Sequence, residues 1–347
     1  EAPVNLTAAN PATDTGPVYS PAGRTLYYRA MKRPGFEADR FQIRALDLAS
    51  RNARDIAADW DRSPEGLVVA PDGRTLYTTV ADLGAGSLFA VDVASGKRTR
   101  LDNRGTVAGV TAGRDAIVYG RDDLKSTAQL YRLSPRGGEP VALTRFNAAR
   151  MAGLALGDYE QFTFAGWNGE TVHAYLVKPA NFSAGTKYPL AFLIHGGPQG
   201  SFGNHFHYRW NPQTYAGQGY AAVMVDFHGS TGYGQAFTDS ISGDWGGKPM
   251  EDLQKGLAAA LAKYDFLDGD RVCALGGSYG GYMANWIAGN WNEPFRCLVS
   301  HSGVFDNRMM AYSTEELWFD EWEFQGKPWL VPDAYERHNP VSHVGKW

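Results

Sequence analysis

The first 150 residues alternate apolar and polar positions over short runs, and two short patterns recur along them. Residues 20–27, SPAGRTLY, return at 70–77 as APDGRTLY. In each copy a proline and a glycine favour a turn, and an alternating, β-prone run follows. Residues 45–50, ALDLAS, return at 90–95 as AVDVAS, ahead of a second turn. The pattern predicts repeated antiparallel hairpins.

The repeats return after about 40–50 residues, which is the period of four-stranded propeller blades. We expect three blades, at about 17–60, 61–104 and 105–147. Residues 139–144, EPVALT, close the third blade, and residues 1–7, EAPVNLT, resemble that same closing strand. This part of the chain, to about residue 150, is therefore predicted to be a partial β-propeller, truncated at its N-terminus or completed by another piece. A small non-propeller sheet domain is the alternative.

The pattern changes in the second part of the chain, which we take as 151–347. Residues 159–177 have the pattern of an alternating hairpin. Continuous apolar runs follow at 190–194 and 221–225, and such runs are typical of strands covered on both faces. Residues 249–264 have helical spacing. Strands that alternate with helices predict an α/β fold with a doubly wound, mostly parallel sheet, also truncated at its C-terminal side.

A glycine-flanked serine, Gly276-x-Ser278-x-Gly280, follows an apolar run and precedes residues with helical patterning. This context is typical of a nucleophile elbow, a strained strand-to-helix turn. A side chain at either flanking position would collide with the strand or the helix, and the turn raises the serine hydroxyl above the sheet. We predict that Ser278 is a catalytic nucleophile. A glycine-rich turn with an incidental serine is the alternative.

A second glycine pair, in HGGP at 195–198, follows directly on a buried-strand pattern. Glycines leave backbone N–H groups open beside a developing oxyanion, as acyl transfer requires. We predict that the two oxyanion donors are the N–H groups of Gly197 and of Tyr279, the residue after the nucleophile. His195 is interpreted as a structural ring that braces the loop rather than as a base.

Composition and the remaining motifs argue against several other functions. A net charge of −4 with a sequence pI near 6.1 gives no excess of positive charge of the kind that binds nucleic acid. No apolar run is long enough to span a membrane. His205-Phe206-His207 lacks a further ligand nearby, and the glycine-rich turn at 226–234 lacks the ending of a phosphate loop. We therefore expect no metal and no cofactor. Cys273 and Cys297 are interpreted as buried free thiols rather than as a disulfide.

The propeller-like repeats, HGGP, GSTGYG at 229–234 and GGSYGG at 276–281 together resemble the prolyl oligopeptidase family of serine peptidases, in its dipeptidyl-peptidase V and acylaminoacyl-peptidase branch. The resemblance implies an α/β-hydrolase domain with a propeller that admits small peptides, and the release of N-terminal dipeptides. It implies a pocket, for the residue before the cut, that includes Tyr282, Phe305 and Trp318. It also implies a periplasmic or secreted protein, with a cytoplasmic location as the alternative.

In this family the triad order is serine, aspartate, histidine, and none of the eight histidines here follows a plausible acid-bearing strand. The resemblance places both later members beyond Trp347. We expect residues 1–347 to be inactive alone, and we consider a complementing fragment or a homodimer as partners. The functions that stay open are an acylaminoacyl-peptidase, an endo-acting oligopeptidase or an esterase of the same fold, and a propeller binding module without catalytic activity.

Overall fold

The protein divides into two compact units in a computed structural model that describes residues 2–347. The first unit runs to Ala148 and also contains Gly203–Phe206. The second unit comprises Ala149–Phe202 and His207–Trp347. A segment of four residues from the later part of the chain therefore belongs to the first unit.

The first unit consists of antiparallel β-meanders. Its strands are β1 (Asp14–Tyr19), β2 (Thr25–Ala30), β3 (Gln42–Asp47), β4 (Ala53–Ile56), β5 (Val68–Val69), β6 (Thr75–Asp82), β7 (Ala85–Asp92), β8 (Arg98–Asp102), β9 (Thr106–Ala112), β10 (Ile117–Asp123), β11 (Ser126–Leu133) and β12 (Val141–Ala142). One sheet has four strands in the order β1-β2-β3-β4. In an eight-stranded sheet, β5 to β8 form a second meander and β9 to β12 a third, joined by a parallel pairing of β7 with β9.

The recurring turns adopt the same backbone structure. The N–H of Gly23 donates to the carbonyl of Ser20, and the N–H of Gly73 donates to that of Ala70, each at 2.8 Å. Both glycines have a positive φ, 69° and 72°, which glycine adopts without strain. Strands β2 and β6 begin two residues after these glycines. The predicted turns and the strands that follow them are confirmed.

Each expected blade corresponds in position to one four-stranded meander, but the meanders do not close into a propeller within residues 2–347. Residues 2–7, expected as part of a closing strand, pair with no strand in this part of the chain. A strand requires a hydrogen-bonded neighbour, and a sequence resemblance to the end of the third repeat does not provide one. Two apolar clusters, one around Leu76 and one around Ile117, pack the meanders.

The second unit is built on a six-stranded sheet. Its strands are β13 (Tyr159–Ala165), β14 (Thr171–Val177), β15 (Tyr188–Ile194), β16 (Ala221–Asp226), β17 (Leu267–Gly277) and β18 (Phe295–His301). They lie in the order β13-β14-β16-β15-β17-β18, in which the last four are parallel and the first two pair antiparallel. Strand β16 is buried throughout and β15 at all but one position, as their continuous apolar sequences indicate. The mostly parallel sheet is confirmed.

Helices connect the parallel strands. The α-helices of the chain are α1 (Ala148–Ala152), α2 (Pro212–Ala216), α3 (Gln235–Asp239), α4 (Lys248–Lys263), α5 (Tyr279–Asn290), α6 (Asn307–Ser313), α7 (Leu317–Glu323) and α8 (Pro332–Glu336), and 3-10 helices span Trp167–Gly169 and Pro340–Lys346. Helix α4 buries Met250, Leu253 and Leu257, the face that its periodicity predicts. No helix in the described part of the chain combines the length and the apolar character needed to cross a bilayer.

The strand order reverses at β15, because β16 and β17 lie on opposite sides of it. These three strands are parallel, so their carboxyl ends meet at one edge of the sheet. In open sheets of this kind, ligand sites form at the carboxyl ends where the order reverses. Strand β15 leads into His195 and β17 leads into Ser278, so both predicted motifs lie at this edge.

Cys273 and Cys297 form a disulfide, so their interpretation as free thiols is wrong. The two residues are direct neighbours in the register of β17 and β18, with their Cα atoms 4.7 Å apart. This separation lies within the range that a disulfide bridges. Two apolar runs in a sequence do not reveal that their strands are adjacent, and still less that the two cysteines share a register position.

Candidate active site

Ser278 occupies a strained turn between β17 and α5. Its backbone has φ 56° and ψ −119°, a conformation that residues with a side chain rarely adopt. The turn is held on both sides, since the Ser278 N–H donates to the carbonyl of His301 and its carbonyl accepts from the N–H of Tyr282, each at 2.9 Å. The Ser278 side chain is exposed. The local geometry is that of a nucleophile elbow.

Two glycines make this turn sterically feasible. A Cβ atom at Gly276 would lie 2.2 Å from the carbonyl oxygen of Gly280. A Cβ atom at Gly280 would lie 2.1 Å from the carbonyl oxygen of Ile194, at the end of β15. Both contacts are with backbone, which cannot move aside without displacing a strand or a helix. The expectation that side chains collide at these two positions is confirmed.

The loop that follows β15 lies directly beside the serine. We call residues 195–201 the glycine loop. A Cβ atom at Gly196 would lie 3.3 Å from the Cβ atom of Ser278 and 3.0 Å from the carbonyl oxygen of Gly277. Gly197 has φ 135°, in the region that favours glycine. The absence of side chains at these glycines therefore allows the loop backbone to approach the serine closely.

His195 braces the glycine loop. Its ring is buried and stacks on Phe227 with a centroid separation of 4.2 Å. Its Nδ1 donates to the carbonyl of Gly196 at 2.8 Å, which leaves Nε2 to accept from the Ser230 hydroxyl at 2.8 Å. Burial lowers the pKa of His195, against a smaller opposing effect of Asp226. The ring is neutral and has both nitrogens engaged, so its interpretation as a structural brace is confirmed.

The two predicted oxyanion donors both have free N–H groups. Within residues 2–347, neither the N–H of Gly197 nor that of Tyr279 donates to a protein acceptor. Gly197 lies in the glycine loop, and Tyr279 begins α5 immediately after Ser278. Tyr279 is buried, and a buried N–H without an acceptor is uncommon in proteins, whereas Gly197 is exposed. Both N–H groups are therefore available to a hydrogen-bond acceptor from outside this part of the chain.

The aromatic residues expected to line a pocket do not share one environment. Tyr282 is fully buried and donates its hydroxyl to the carbonyl of His338 at 2.7 Å, so it lies beneath the elbow and away from any exposed surface. Phe305, which follows β18, and Trp318, in α7, are each 42% exposed. The structure therefore leaves Phe305 and Trp318 accessible to a ligand and places Tyr282 in the core.

The structure contains no base for the serine among the residues that it describes. The Ser278 hydroxyl makes no hydrogen bond to a histidine within residues 2–347. His301 is near in the fold, but its ring lies edge-on to Trp210 at 5.2 Å. His205, from the H-x-H pair, contacts Asp122 at 2.7 Å in the first unit. In the same described part of the chain, no group of three or more histidine, cysteine or acidic residues could hold a metal ion.

Sequence reasoning missed three buried carboxylates that hold the loops at this edge. Asp226 accepts from the hydroxyls of Ser201 and Tyr233, each at 2.6 Å. Asp252 lies in α4 and Glu323 ends α7, and each accepts hydrogen bonds from loops at the carboxyl edge of the sheet. Asp226 is the last residue of a buried strand, and a carboxylate at this position was a signal that could have been used. Asp252 and Glu323 lie within helical patterns that give no such signal.

Residues 206–347 match the sequence profile of the prolyl oligopeptidase family. These residues include the elbow, the buried strand before it and the helices that follow. Over these residues the chain is similar to that family. The family resemblance inferred from the motifs is confirmed.

Two curated relatives extend the match over the rest of the chain. A probable dipeptidyl-peptidase 5 from Emericella nidulans is 39% identical over 338 residues, which cover 94% of this chain and 46% of the relative. A dipeptidyl-peptidase 5 from Schizosaccharomyces pombe is 36% identical over 330 residues, covering 94% of this chain and 48% of the relative. The chain thus spans about half the length of the curated relatives that it matches.

A solved structure is similar to most of the fold. An acylaminoacyl peptidase in complex with Z-Gly-Gly-Phe-chloromethyl ketone superposes with a TM-score of 0.81 at 25% identity, over 92% of this chain and 50% of that one. The family and this likeness imply an α/β-hydrolase domain for the second unit and a β-propeller domain for the meanders of the first. The expected fold class is therefore confirmed at this level.

Proposed function

We propose that this chain carries the nucleophile and the oxyanion-binding groups of a serine exopeptidase that releases dipeptides from the N-termini of short peptides. The Ser278 oxygen attacks the carbonyl carbon of the scissile bond, and the N–H groups of Gly197 and Tyr279 donate to the oxygen that becomes negative. The C–N bond then breaks, the rest of the peptide leaves as an amine that receives the serine proton from the base, and an acyl-enzyme remains on Ser278. Water hydrolyses this ester and releases the dipeptide.

The observation that carries the proposal is the conformation of Ser278. A non-glycine residue at φ 56° is costly, and such strain is kept where the surrounding structure enforces it. Here Gly276 and Gly280 leave room for the strained turn, and the glycine loop lies against its outer side. An incidental serine in a glycine-rich turn would require neither this conformation nor the close approach of the glycine loop.

The proposal takes the general base from a histidine and an aspartate outside residues 2–347. Ser278 has no histidine partner within these residues, and an unactivated serine is a weak nucleophile at neutral pH. A complementing segment would supply the pair and leave the nucleophile and the oxyanion donors in this chain. Removing the base of one well-studied peptidase costs about 10⁶ in turnover, so residues 1–347 alone are expected to be inactive.

The names of the relatives support the proposed substrate class. Both curated relatives are named dipeptidyl-peptidases, and they match 94% of this chain. A second candidate is an acylaminoacyl-peptidase, since the structural neighbour at TM-score 0.81 carries that name. The two activities differ in whether the substrate N-terminus is free or acylated. We propose that Phe305 and Trp318 contact the residue before the scissile bond, because both are half-exposed aromatic side chains.

The test uses the full-length protein and three reagents. A free-amine dipeptidyl anilide reports dipeptide release, an N-acetyl aminoacyl anilide reports the second candidate, and a fluorophosphonate reports the nucleophile. We expect hydrolysis of the first anilide and labelling of Ser278, with both lost in Ser278→Ala. If only the acetylated anilide is hydrolysed, the acylaminoacyl-peptidase assignment replaces the dipeptidyl-peptidase assignment. No labelling of a folded protein would refute the serine mechanism altogether.

We propose that the protein is exported to the periplasm or secreted. The Cys273–Cys297 disulfide supports this location, because disulfides persist in oxidising compartments and are rare in the cytosol of mesophiles. Alkylation of the natively expressed protein before and after reduction, followed by mass analysis, tests the proposal. We expect blocking at both cysteines only after reduction. Free thiols in the native sample would favour the cytoplasm.

A further inference from the structure

Glu323 is a buried carboxylate on which several loops converge. It ends α7 and is 1% exposed. Its Oε1 accepts from the side-chain amide of Gln199 at 2.7 Å and from the Ser242 hydroxyl at 3.2 Å, and its Oε2 accepts from the indole N–H of Trp245 at 2.8 Å. Its backbone carbonyl also accepts from the N–H of Gly243 at 2.6 Å. One residue thus joins the glycine loop to the loop before α4.

The first of these bonds leads to Gly197. Gln199 is two residues from Gly197, and the turn between them is tight. A Cβ atom at Gly197 would lie 2.5 Å from the backbone nitrogen of Gln199 and 2.8 Å from its carbonyl carbon. A displacement of Gln199 therefore moves Gly197, whose N–H is one of the two proposed oxyanion donors.

The other bond leads to Tyr279. The backbone carbonyl of Trp245 accepts from the Tyr279 hydroxyl at 2.5 Å, and the two rings pack edge to face at 5.3 Å. Both side chains are buried. Because Tyr279 begins α5, the position of its ring also fixes the orientation of its N–H, which is the second proposed oxyanion donor. Glu323 is therefore connected to both donors through one intermediate residue each.

We propose that Glu323 is a positioning residue that aligns both oxyanion donors, acting on Gly197 through Gln199 and on Tyr279 through Trp245. The inference rests on the proposed acyl-transfer function of Ser278. Glu323 touches neither the substrate nor the reacting atoms, so its role is to hold the two N–H groups at the distance that the developing oxyanion requires. Misplacement of such groups by about 1 Å can cost 10²-fold in rate.

The same helix provides a matched control. Asp320 lies one turn before Glu323 and is also 1% exposed, but neither of its carboxylate oxygens has a hydrogen-bond partner among the described residues. Burial, together with the charges of Glu323 and Glu316, raises the pKa of Asp320 to about 7. An asparagine resembles the protonated carboxyl in shape, so Asp320→Asn removes a buried acid from α7 and leaves the contacts to the glycine loop in place.

The experiment exchanges the donor and the acceptor of the Gln199–Glu323 pair in the full-length protein. Gln199→Glu places two acids against each other, and the double variant Gln199→Glu/Glu323→Gln restores one donor and one acceptor. In the double variant the new amide at position 323 can still accept from Trp245 through its oxygen. We expect Gln199→Glu to lower kcat for the dipeptidyl anilide by about tenfold to a hundredfold with KM nearly unchanged. The double variant should recover most of that loss, and Asp320→Asn should keep the wild-type kcat.

The melting temperature and the rate of fluorophosphonate labelling are measured alongside the kinetics. Labelling of Ser278 should slow in parallel with kcat in Gln199→Glu, because this reaction also uses the oxyanion site. An active wild type whose Gln199→Glu variant keeps its kcat overturns the inference and leaves the proposed function standing. An equal loss of kcat in Asp320→Asn also overturns it, since the effect would then belong to α7 as a whole. A wild type that is neither labelled nor active refutes the proposed function itself.

Discussion

The two units of this protein hold their buried carboxylates in different ways. In the first unit, Asp102 is bound by two arginines: Arg121 at 2.6 Å, whose side chain is 12% exposed, and Arg104 at 3.0 Å. In the second unit, Asp226 is equally buried but accepts from two neutral hydroxyls, those of Ser201 and Tyr233. The first arrangement neutralises the charge, and the second only solvates it.

This difference separates stability from positioning. Removing one member of a buried ion pair leaves the other charge uncompensated, which is strongly destabilising. Neutralising a carboxylate that accepts from hydroxyls leaves no charge behind, so the cost is smaller. The hydroxyl of Ser201, however, belongs to the glycine loop, and its bond to Asp226 fixes where that loop lies. We therefore expect changes at Asp102 to affect mainly folding and changes at Asp226 to affect mainly activity.

The largest effect is expected at Gly280, where one substitution should lower both stability and activity and so does not follow this separation. Gly280→Val would force side-chain atoms onto the carbonyl of Ile194, which already lies 2.1 Å from an added Cβ atom. We expect a loss of about 4 kcal/mol or more in the free energy of unfolding and no labelling of Ser278. Urea unfolding and fluorophosphonate labelling measure the two effects.

Gly269→Ala is the control for this variant, because Gly269 lies in β17, the strand that leads into the elbow, and an added Cβ atom there meets Leu261 only at 3.5 Å. Its stability should change by less than about 1 kcal/mol. Normal labelling in a stable Gly280→Val variant would mean that the elbow does not require glycine at this position.

Asp102→Asn is expected to cost about 3–5 kcal/mol, as breaking a buried ion pair does. The half-buried Arg121 would lose its charged partner, and the single amide oxygen of asparagine could not replace both carboxylate oxygens, which accept from Arg104, Arg121 and Tyr119. Equilibrium urea unfolding measures the cost. Labelling of Ser278 in the folded protein should be unchanged. A stability loss below about 1 kcal/mol would place this pair with ordinary surface ion pairs.

Reduction of the Cys273–Cys297 disulfide is expected to lower stability by about 2–4 kcal/mol. The bond joins two strands that meet again at the elbow, where the N–H of Ser278 donates to His301 in β18. The melting temperature with and without a reductant measures this effect. The variant Cys273→Ala/Cys297→Ala should be insensitive to the reductant. An identical melting temperature for oxidised and reduced wild type would show that the sheet holds these strands without the covalent bond.

Asp226→Asn is expected to cost only about 1–2 kcal/mol in stability, since both hydroxyls donate to one carboxylate oxygen, Oδ2, and an uncharged amide oxygen in its place still accepts them, but more weakly. Its effect on kcat should be larger in proportion, about tenfold to a hundredfold, because the bond that holds Ser201 of the glycine loop loses its charged acceptor and weakens. For each variant, the loss in kcat is divided by the loss in stability. Comparing this ratio between Asp226→Asn and Asp102→Asn tests whether the two carboxylates act on activity and on folding separately. Equal ratios in the two variants would contradict it.

The sequence predicted the features that depend on residues adjacent in the chain. The turn at Gly23 and its copy at Gly73 depend on a few adjacent residues, and both have the predicted conformation. The elbow is similarly local, because the motif specifies a serine, its two glycines, a strand before it and a helix after it. The six-stranded sheet also followed from runs of apolar residues, although its strand order did not.

The features that could not be predicted depend on distant residues. Glu323 accepts from Gln199, which is 124 positions earlier in the chain. Cys273 and Cys297 bond because two parallel strands pair in one register and not in another. The burial of Tyr282 results from the packing of α5 against the chain near His338, which no short pattern indicates. The sequence gives the side chains that are available, but only the fold shows which of them are in contact.

The smallest expected effect concerns Asp252, whose partner His228 can gain or lose a proton. This pair is intermediate between Asp102, which is bound by charged arginines, and Asp226, which is bound by neutral hydroxyls. His228 is buried, with Nδ1 at 2.6 Å from Asp252 and Nε2 at 3.2 Å from Glu170, which is about half exposed. Burial alone would lower the pKa of His228, but the hydrogen bonds and charges of Asp252 and then of Glu170 outweigh it, so the pKa lies above the ordinary 6.5.

A raised pKa means that protonated His228 favours the folded state. This contribution is complete below pH 6.5, the unfolded value, and is lost as the pH rises through the folded value. Glu170→Gln removes the weaker, partly exposed partner, so it should lower the free energy of unfolding by less than about 1 kcal/mol near pH 6 and by almost nothing near pH 9. Urea unfolding at both pH values measures the difference. An equal loss at both pH values would show that Glu170 acts through packing rather than through the charge of His228. His228 would then not provide an intermediate case between the buried carboxylates Asp102 and Asp226.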